Sequence, residues 1–319
     1  MFGIINSTNI RSGKERISVA QQPSMSLLAF QKRFNTEEAC REHLFKHKWP
    51  SGYVCEKCGC TEYYFVPTRN IYECKKCSYQ ATVTSNTVMH RTHTPLVKWF
   101  WAIYLAARDK RGISAIGLSK QIDVSYPTAW LVLHKIRKAM EQRDSNYKLA
   151  NIVELDDAFF GGPGSDAKRG RGSSKSKVIV GVSLTDDGKP QFARMKVVNV
   201  IDGDTVKQVA NENIQPGSTI KSDGYTSYKA LKNSDYKYSP EVVKNVDATE
   251  VLHWVHIVIS NAKAFINGTY HGLGCKHLQK YLDEYCYRFN RRFWENQLFD
   301  RLLSACSISK TLTYSELTL

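Results

Sequence analysis

Ile152-Val153-Glu154-Leu155-Asp156 is an apolar, strand-like run that carries a carboxylate at its end. A second run of this kind, Ser218-Thr219-Ile220-Lys221-Ser222-Asp223, also ends in an aspartate. The two-residue period of a strand places Glu154 and Asp156 on one face of the first run. Two strand-end carboxylates can hold a divalent cation against a phosphate, because Mg²⁺ prefers oxygen ligands. The two runs therefore predict a metal-dependent site for phosphoryl transfer, provided that the fold brings them together.

The segments between these runs predict a mixed sheet. Residues 151–160 are expected to form a strand that ends in the turn Gly161-Gly162-Pro163-Gly164, and residues 177–184 and 191–198 two more strands joined by Asp186-Asp187-Gly188. A helix over residues 204–213 and a fourth strand over 219–222 follow. Three antiparallel strands, a helix and a parallel strand that ends in an acid resemble the ribonuclease-H-like fold. In that fold the first and fourth strands are adjacent, so Asp156 and Asp223 are expected to meet despite the 66 residues between them.

His256 and Lys263 lie seven residues apart on a segment with a helical pattern. Seven residues are about two helical turns and roughly 10 Å of rise, so both side chains share one face. A lysine on this face can grip a terminal phosphate while residue 256 faces the metal. Spacing alone leaves two interpretations of His256, a metal ligand or a structural histidine.

Upstream of these segments, a cysteine pattern predicts a zinc site. Cys55-x-x-Cys58 and Cys74-x-x-Cys77 are separated by fifteen residues, a spacing typical of four-cysteine zinc sites. Each Cys-x-x-Cys turn aims two thiolates at one point, and two turns complete a tetrahedron with Zn–S distances near ~2.3 Å. Such a closed site is structural. Cys60 is the alternative to Cys58, but the symmetric spacing favours Cys58; residues 63–66 and 70–73 are expected to form a hairpin between the two turns.

The middle of the chain predicts helices. One starts at Thr94-Pro95, and a pair over residues 113–121 and about 127–140 is joined by Ile122-Asp123-Val124. Helix, tight link and helix is the arrangement of a helix-turn-helix module, and the alternative is a small helical bundle without groove contacts. In the first interpretation the residues that meet DNA are Ser125, Tyr126, Thr128 and Lys135.

The loop over residues 168–177 carries five basic residues in ten. Such a run is usually a solvated, mobile loop, but beside a carboxylate site it could follow the phosphates of a nucleic acid. The residues expected to make these contacts are Lys168, Arg169, Arg171 and Lys175.

Composition supports a partner with negative charge. The 319 residues include 45 Lys+Arg and 30 Asp+Glu, a formal net charge of +15, which favours polyanions. The nine cysteines include two Cys-x-x-Cys pairs, which favours zinc in a reducing compartment over a disulfide framework. The longest aromatic-aliphatic run, residues 99–107, has nine residues, whereas a membrane span needs roughly 20. We therefore expect a cytoplasmic protein with no membrane partner.

These features predict an α+β multidomain chain with an N-terminal zinc ribbon, a helix-turn-helix-like module and a C-terminal ribonuclease-H-like α/β domain with a mixed sheet. The expected divisions are a disordered tail at 1–24, with Met1 or Met25 as the start, a short helical region at 25–48, the zinc ribbon at 49–92, the helical module at 93–145, the catalytic domain at 146–305 and a tail at 306–319. Asn35 or Thr36 is expected to cap the first helical region.

Several segments together resemble bacterial insertion-sequence transposases of the ISXO type, which join a zinc ribbon to a DDE-type, retroviral-integrase-like core. The resemblance covers approximately residues 27–300. The segments that carry it are Phe30–Phe34, Trp49–Cys55, Val153–Asp157 with Gly161-Gly162, Ser222–Tyr225, and Gly268–His271 through His277–Glu284 to Arg288–Arg292.

The resemblance implies a catalytic set of Asp156, Asp223, His256 and Lys263, a DDHK variant in which His256 takes the third metal-facing position. Relatives carry Glu, Asn or His there, and the nearby acids that could replace His256 are Asp247 and Glu250. It further implies Mg²⁺ or Mn²⁺, with two ions held by Asp156, Asp223 and His256.

The implied reaction is hydrolysis of a DNA strand at the element's end, followed by attack of the freed 3′-hydroxyl on target DNA. No covalent enzyme intermediate and no ATP take part, and the protein works as a homodimer on paired terminal inverted repeats in a bacterial cytoplasm, at the nucleoid. Two alternatives remain from the residues. One is a non-catalytic, zinc-ribbon and helix-turn-helix DNA-binding protein derived from a transposase, and the other is a nuclease that cleaves without joining.

Overall fold

The structure is a computed structural model that describes residues 25–161, 175–241, 251–271 and 273–318. Some expectations lie outside the described residues. They are the tail at 1–24, the turn residues Gly162, Pro163 and Gly164, the loop residues Lys168, Arg169 and Arg171, and the alternative acids Asp247 and Glu250.

The N-terminal region folds as two helices where the sequence predicted one short helical region. α1 spans Leu27–Arg33 and α2 spans Glu37–Lys48. Thr36, one of the two expected caps, accepts a hydrogen bond from the backbone N–H of Ala39 at 3.1 Å, so the break between the helices is set by capping. A three-stranded antiparallel sheet follows, with β1 at Tyr63–Val66, β2 at Ile71–Cys74 and β3 at Gln80–Ala81.

Three helices form the middle of the chain: α3 (Leu96–Arg108), α4 (Ala115–Ile122) and α5 (Tyr126–Asp144). Asp123 ends α4 in the left-handed conformation, with φ at 51°. α5 is longer than predicted at both ends, because polar residues beyond Met140 continue the helix after its apolar face has ended. No helix in the described ranges is both long enough and apolar enough to cross a membrane.

The C-terminal sheet has five strands in the order β6-β5-β4-β7-β8. Their bounds are β4 Ile152–Phe160, β5 Ser176–Leu184, β6 Pro190–Val198, β7 Thr219–Ser222 and β8 Lys237–Pro240. β4, β5 and β6 pair antiparallel, and β7 pairs parallel to β4. This order confirms the predicted ribonuclease-H-like arrangement, with the first and fourth strands adjacent. β8, which pairs parallel to β7, was not predicted.

Helices cover both faces of this sheet. α6 (Gly203–Asn213) packs on the face that carries Val153 and Leu155, together with a 3₁₀ segment at Thr226–Asn233. α7 (His253–Thr269) and α8 (Leu278–Phe289) pack on the opposite face, against Ala158 and Phe160. The alternation of β4 therefore points Glu154 and Asp156 towards α7, which the two-residue period predicted. Short 3₁₀ segments at Cys275–His277 and Arg292–Gln297, then α9 (Leu298–Ile308) and α10 (Tyr314–Thr318), complete the chain.

The helical middle and the sheet are joined by buried contacts. Arg137 of α5 and Glu284 of α8 form an ion pair of 2.8 Å whose side chains are 3% and 4% exposed. Phe30 of α1 stacks on Tyr104 of α3 at 4.3 Å between ring centroids, and its edge meets Phe299 of α9. Most of α9 lies within the range expected for the catalytic domain, yet its apolar residues share a core with the zinc ribbon and the helical middle.

Candidate active site and zinc centre

The four predicted cysteines converge. The ligand atoms of Cys55, Cys58, Cys74 and Cys77 all lie within 4.8 Å of one another. Cys55 Sγ lies 3.6 Å from Cys77 Sγ, and Cys58 Sγ lies 3.5 Å from Cys74 Sγ. A tetrahedron with Zn–S bonds near ~2.3 Å has edges of about 3.8 Å, so the sulfur atoms stand close to the spacing that zinc requires.

Two matching turns produce this convergence. Cys55 N–H donates to Cys60 O and Cys74 N–H donates to Tyr79 O, both at 2.9 Å. Gly59 and Ser78 occupy equivalent places with φ at 72° and 54°. Cys60 therefore corresponds to Tyr79, a residue outside the sulfur cluster, and its own thiol points to Glu62 O at 3.8 Å. The choice of Cys58 over Cys60 as the fourth ligand is supported by this symmetry.

Hydrogen bonds within these turns favour the thiolate form of Cys74. Removal of the Cys74 thiol from water raises its pKa, but hydrogen bonds from the backbone N–H groups of Cys77 and Lys76 and from the thiols of Cys58 and Cys77 together outweigh this effect, and the pKa falls to about 6. Zinc binds thiolates, so a cysteine that is already ionised near neutral pH favours metal binding.

Asp156 lies on β4, and Asp223 directly follows the end of β7, the strand that pairs parallel to β4. The parallel register of β4 and β7 pairs Glu154 with Lys221, and the two aspartates each lie two residues further along. Adjacent strands are about 4.8 Å apart. Asp156 Oδ1 accepts from the backbone N–H of Asp157 at 2.8 Å, and Asp223 Oδ1 accepts from the N–H of Tyr225 at 3.0 Å. One oxygen of each carboxylate is therefore held by a backbone N–H group one or two residues further along the chain.

His256 reaches this pair from α7. Its Nε2–H donates to Asp156 Oδ2 at 3.1 Å. This hydrogen bond raises the pKa of His256; burial opposes the shift, and the negative charges of Asp156, Glu154 and Asp223 add to it. His256 is thus in direct contact with Asp156, one of the two predicted metal-holding carboxylates.

Oxygen donors at equivalent strand positions suit Mg²⁺ or Mn²⁺, whereas an imidazole is a less usual ligand for these ions. Within the described residues, the cysteine cluster is the only group of three or more His, Cys, Asp or Glu whose ligand atoms all lie within 4.8 Å. The ligand atoms of Asp156, Asp223 and His256 are thus further apart than those of the four cysteines. A bound ion would replace the Asp156–His256 hydrogen bond and draw the three side chains together.

Glu154 lies beside this group, and no role was predicted for its side chain. Its side chain is buried, and Oε2 accepts from the backbone N–H of Val255 at 2.8 Å. Burial raises the pKa of Glu154, while hydrogen bonds from the Val255 and Trp254 backbones partly offset the shift. The sequence feature that could have indicated a role for Glu154 is its position two residues before Asp156, on the same face of the strand.

Lys263 lies seven residues after His256 on α7. α7 runs in the direction of β4, since Val255 contacts Glu154 at one end and Lys263 Nζ lies 5.8 Å from the ring centroid of Phe160 at the other. A groove of about 780 Å³ at this end is lined by both Lys263 and Lys175. Lys175, the described residue among the predicted basic-loop contacts, therefore stands beside the lysine of the predicted catalytic set.

The start of α5 carries most of the predicted helix-turn-helix contacts. Ser125 and Tyr126 are exposed, and Ser125 Oγ and Thr128 Oγ1 are hydrogen bonded at 2.9 Å. Lys135 is placed differently from the expectation. It is 8% exposed, and burial lowers its pKa, so it lies inside the helical core and not on a surface that could face DNA.

Two family profiles match the chain. Residues 148–290 match the ISXO2-like transposase domain, and residues 35–80 match the transposase zinc-ribbon domain. Together the two ranges cover more than half of the chain. The chain is also 23% identical over 241 residues to an uncharacterized protein in transposable element ISH50 of Halobacterium salinarum, a match that covers 71% of this chain and 80% of that protein.

Among solved structures, the chain is similar to one from a simian T-cell lymphotropic virus intasome in complex with PP2A regulatory subunit B56 gamma. That match has 11% identity and a TM-score of 0.29, and it covers 57% of this chain and 66% of the other. A pre-cleavage Mos1 transpososome matches with 14% identity and a TM-score of 0.29, over 63% of this chain and 75% of the other. The strand order, rather than these distant superpositions, defines the fold. With a zinc-ribbon profile followed by a DDE-domain profile, the chain belongs to the family of ISXO2-like transposases.

Proposed function

We propose that this protein is an active DDE-type transposase that cleaves DNA at the terminal inverted repeats of an insertion sequence and joins the freed end to target DNA. The observation that carries the proposal is the position of Asp156 on β4 and of Asp223 directly after β7, the adjacent parallel strand, with His256 Nε2 at 3.1 Å from Asp156 Oδ2. This arrangement lies within the range that matches the transposase domain.

Each side chain has a distinct role in the proposal. Asp156 and Asp223 would hold two Mg²⁺ or Mn²⁺ ions, and His256 would be the third residue of the metal site. When bound, such ions activate the attacking oxygen and stabilise the leaving one during an in-line displacement. Lys263 and Lys175 line a groove at the end of β4 that carries Phe160, where their ammonium groups would hold phosphates of the DNA strand.

The partners follow from the reaction. Terminal repeats and target DNA bind to a chain with a formal net charge of +15, and two copies hold the two element ends in a synaptic homodimer. The exposed start of α5, with Ser125, Tyr126 and Thr128, is the proposed reader of the repeat. One zinc ion at Cys55, Cys58, Cys74 and Cys77 stabilises the ribbon. The protein would act at the nucleoid, in the cytoplasm of its bacterial host.

The test is strand transfer from a pre-cleaved element end into a supercoiled target, with Mg²⁺ or Mn²⁺. Asp156→Asn and Asp223→Asn are expected to abolish joining while DNA affinity stays close to that of the wild type. Each substitution keeps the size of the side chain and removes one negative charge from the metal site. Wild-type activity in either variant would show that the metal site lies elsewhere.

The same assay separates the alternatives. A non-catalytic DNA-binding protein would bind the ends and produce neither nicks nor joined products. A nuclease would cleave an uncut end and leave the pre-cleaved end unjoined. The proposed transposase is expected to give both products, and each is expected to depend on the divalent ion.

A further inference from the structure

A second cavity lies away from the carboxylates, where α5 passes into β4. It is lined by the end of α5, the start of β4, β6 and the 3₁₀ turn that leads into α9, and its volume is about 170 Å³. Leu149 on its wall precedes Asp156 by seven residues, which corresponds to roughly 20 Å of extended chain. The cavity is therefore separate from the proposed metal site.

The walls of this cavity are apolar and aromatic. Leu149 and Phe192 form part of the lining, and Tyr147 and Trp294 stand at the edge, where they are 49% and 41% exposed. A cavity of about 150 Å³ holds one benzene ring. A space of this size between two half-exposed aromatic side chains is therefore suited to one planar ring, which Tyr147 and Trp294 can contact by stacking.

The rim of the cavity is positively charged. Its cationic side chains are Arg143, Lys148, Arg194, Arg291 and Arg301. The single acid of the lining, Asp144, is buried and already paired with Arg291 at 2.7 Å. Arg143 lies over the ring of Tyr147 and Arg301 over the ring of Trp294, while Lys148 donates to Asn211 O and Arg301 also donates to Gln297 Oε1. All of these partners are neutral, so the three cations keep their charge for an anion.

We propose that this cavity binds one unpaired nucleotide of the DNA substrate. Its base stacks between Tyr147 and Trp294, and its flanking phosphates contact Arg143, Lys148 and Arg301. Aromatic side chains beside cationic ones are the combination by which proteins bind single-stranded nucleic acid. The proposal rests on the proposed function for the identity of the substrate, and it adds a site that distinguishes unpaired DNA from duplex DNA.

The test compares two neighbouring aromatic residues. Trp294 lines the cavity, whereas Phe293 is 74% exposed and does not. Full-length Trp294→Ala and Phe293→Ala are titrated with a fluorescently labelled, short oligothymidylate and with its duplex, in the absence of added divalent cation. Loss of one stacked base is expected to lower the single-strand affinity of Trp294→Ala by about 5- to 150-fold. Phe293→Ala should bind like the wild type, and Trp294→Phe, which keeps a ring, should recover most of the affinity.

An oligothymidylate with one abasic position supplies the second arm. It should bind the wild type more weakly than the intact strand, and the difference should shrink in Trp294→Ala. Equal losses in Trp294→Ala and Phe293→Ala would overturn the proposal, as would unchanged binding in Trp294→Ala. Equally strong competition by a glutamate–tyrosine copolymer would show that the cavity accepts any anionic chain with an aromatic ring, which also overturns it. Because no step of this test needs catalysis, absence of strand transfer would affect the proposed function and not this result.

Discussion

Glu154 Oε2 accepts a hydrogen bond from the backbone N–H of Val255 at 2.8 Å and thereby ties the start of α7 to the strand that carries Asp156. The residue before the helix, Leu252, has a φ of 60° and supplies no side-chain cap. A carboxylate from another element thus satisfies an N–H group that the helix itself leaves free. His256 directly follows Val255, so this contact positions the imidazole opposite Asp156.

Replacement of Glu154 tests this positioning role. Glu154→Ala removes the acceptor and should lower the free energy of unfolding by about 1–2 kcal/mol, with a loss of strand transfer as His256 moves. Glu154→Gln keeps an acceptor oxygen and should retain most of the stability and activity. Urea denaturation and the strand-transfer assay measure the two effects.

Asp202→Ala is the matched control, because Asp202 caps α6 through the N–H of Thr205 and α6 carries none of the site residues. It should lower the free energy of unfolding, but the rate of strand transfer per folded molecule should stay at the wild-type value. If Glu154→Ala and Asp202→Ala reduced the activity of folded protein equally, Glu154 would have no specific role at the site.

The titration of His256 gives a test that needs no DNA. Its pKa is raised, first by the hydrogen bond to Asp156, against the effect of burial and with help from the nearby carboxylates. In metal-free protein the pair stabilises the fold fully below the ordinary imidazole pKa of about 6.5, and this stability is lost as the pH rises through the higher pKa of the folded state. Titration by histidine NMR should show this higher value, and Asp156→Asn should lower it.

His43 provides the internal reference for that titration, because burial lowers its pKa to about 4. Added Mg²⁺ should shift the His256 resonance and lower its apparent pKa, since an imidazole that binds metal must lose its proton. A His256 pKa that neither Asp156→Asn nor Mg²⁺ changes would remove this residue from the site.

Local sequence patterns predicted much of this arrangement. The alternation of β4 was sufficient to put Glu154 and Asp156 on one face, and the two matching Cys-x-x-Cys turns identified the zinc ligands. The adjacency of Asp156 and Asp223 required a fold, and the predicted strand order supplied it. These features depend on short-range periodicity and on the strand order of one fold. They could therefore be predicted from the sequence.

Features that depend on contacts between distant segments could not be predicted in the same way. Lys135 has the polarity of a surface residue, but α5 is covered by α8 and α9, and the side chain lies in the interior. Glu154 is recognisable as a cap for α7 only when Val255 is beside it, 101 residues later in the chain. The cavity that Trp294 lines likewise brings together residues of α5, β6 and α9, and no local sequence pattern predicts their proximity.

Zinc binding can be tested with two cysteines of similar chemistry. Cys74→Ser should lose the metal and the near-UV circular dichroism of the surrounding aromatic residues, because the ribbon shares a core with the helical middle. Cys60→Ser should keep both, since the Cys60 thiol points away from the sulfur cluster. Zinc content by atomic absorption measures the first effect. Equal zinc content in both variants would contradict the assigned ligand set.

The buried ion pair of Arg137 and Glu284 is expected to contribute strongly to the packing of the helical middle against the helices that cover the sheet. Both side chains are buried, and Arg137 Cζ also lies 3.9 Å from the ring centroid of Tyr281. Arg137→Ala leaves a carboxylate in the interior with only Arg288 to compensate it, and should lower the free energy of unfolding by about 3–5 kcal/mol.

Arg111→Ala breaks the exposed pair with Asp109, at 3.1 Å, and is the control for loss of an arginine. Water and salt screen such a pair, so this variant should unfold at nearly the wild-type denaturant concentration. Guanidinium denaturation followed by circular dichroism compares the three proteins. If Arg137→Ala were as stable as Arg111→Ala, neither the buried ion pair nor the aromatic contacts of Arg137 would add to the packing of α5 on α8, and the apolar contacts between the two helices would be sufficient to hold them together.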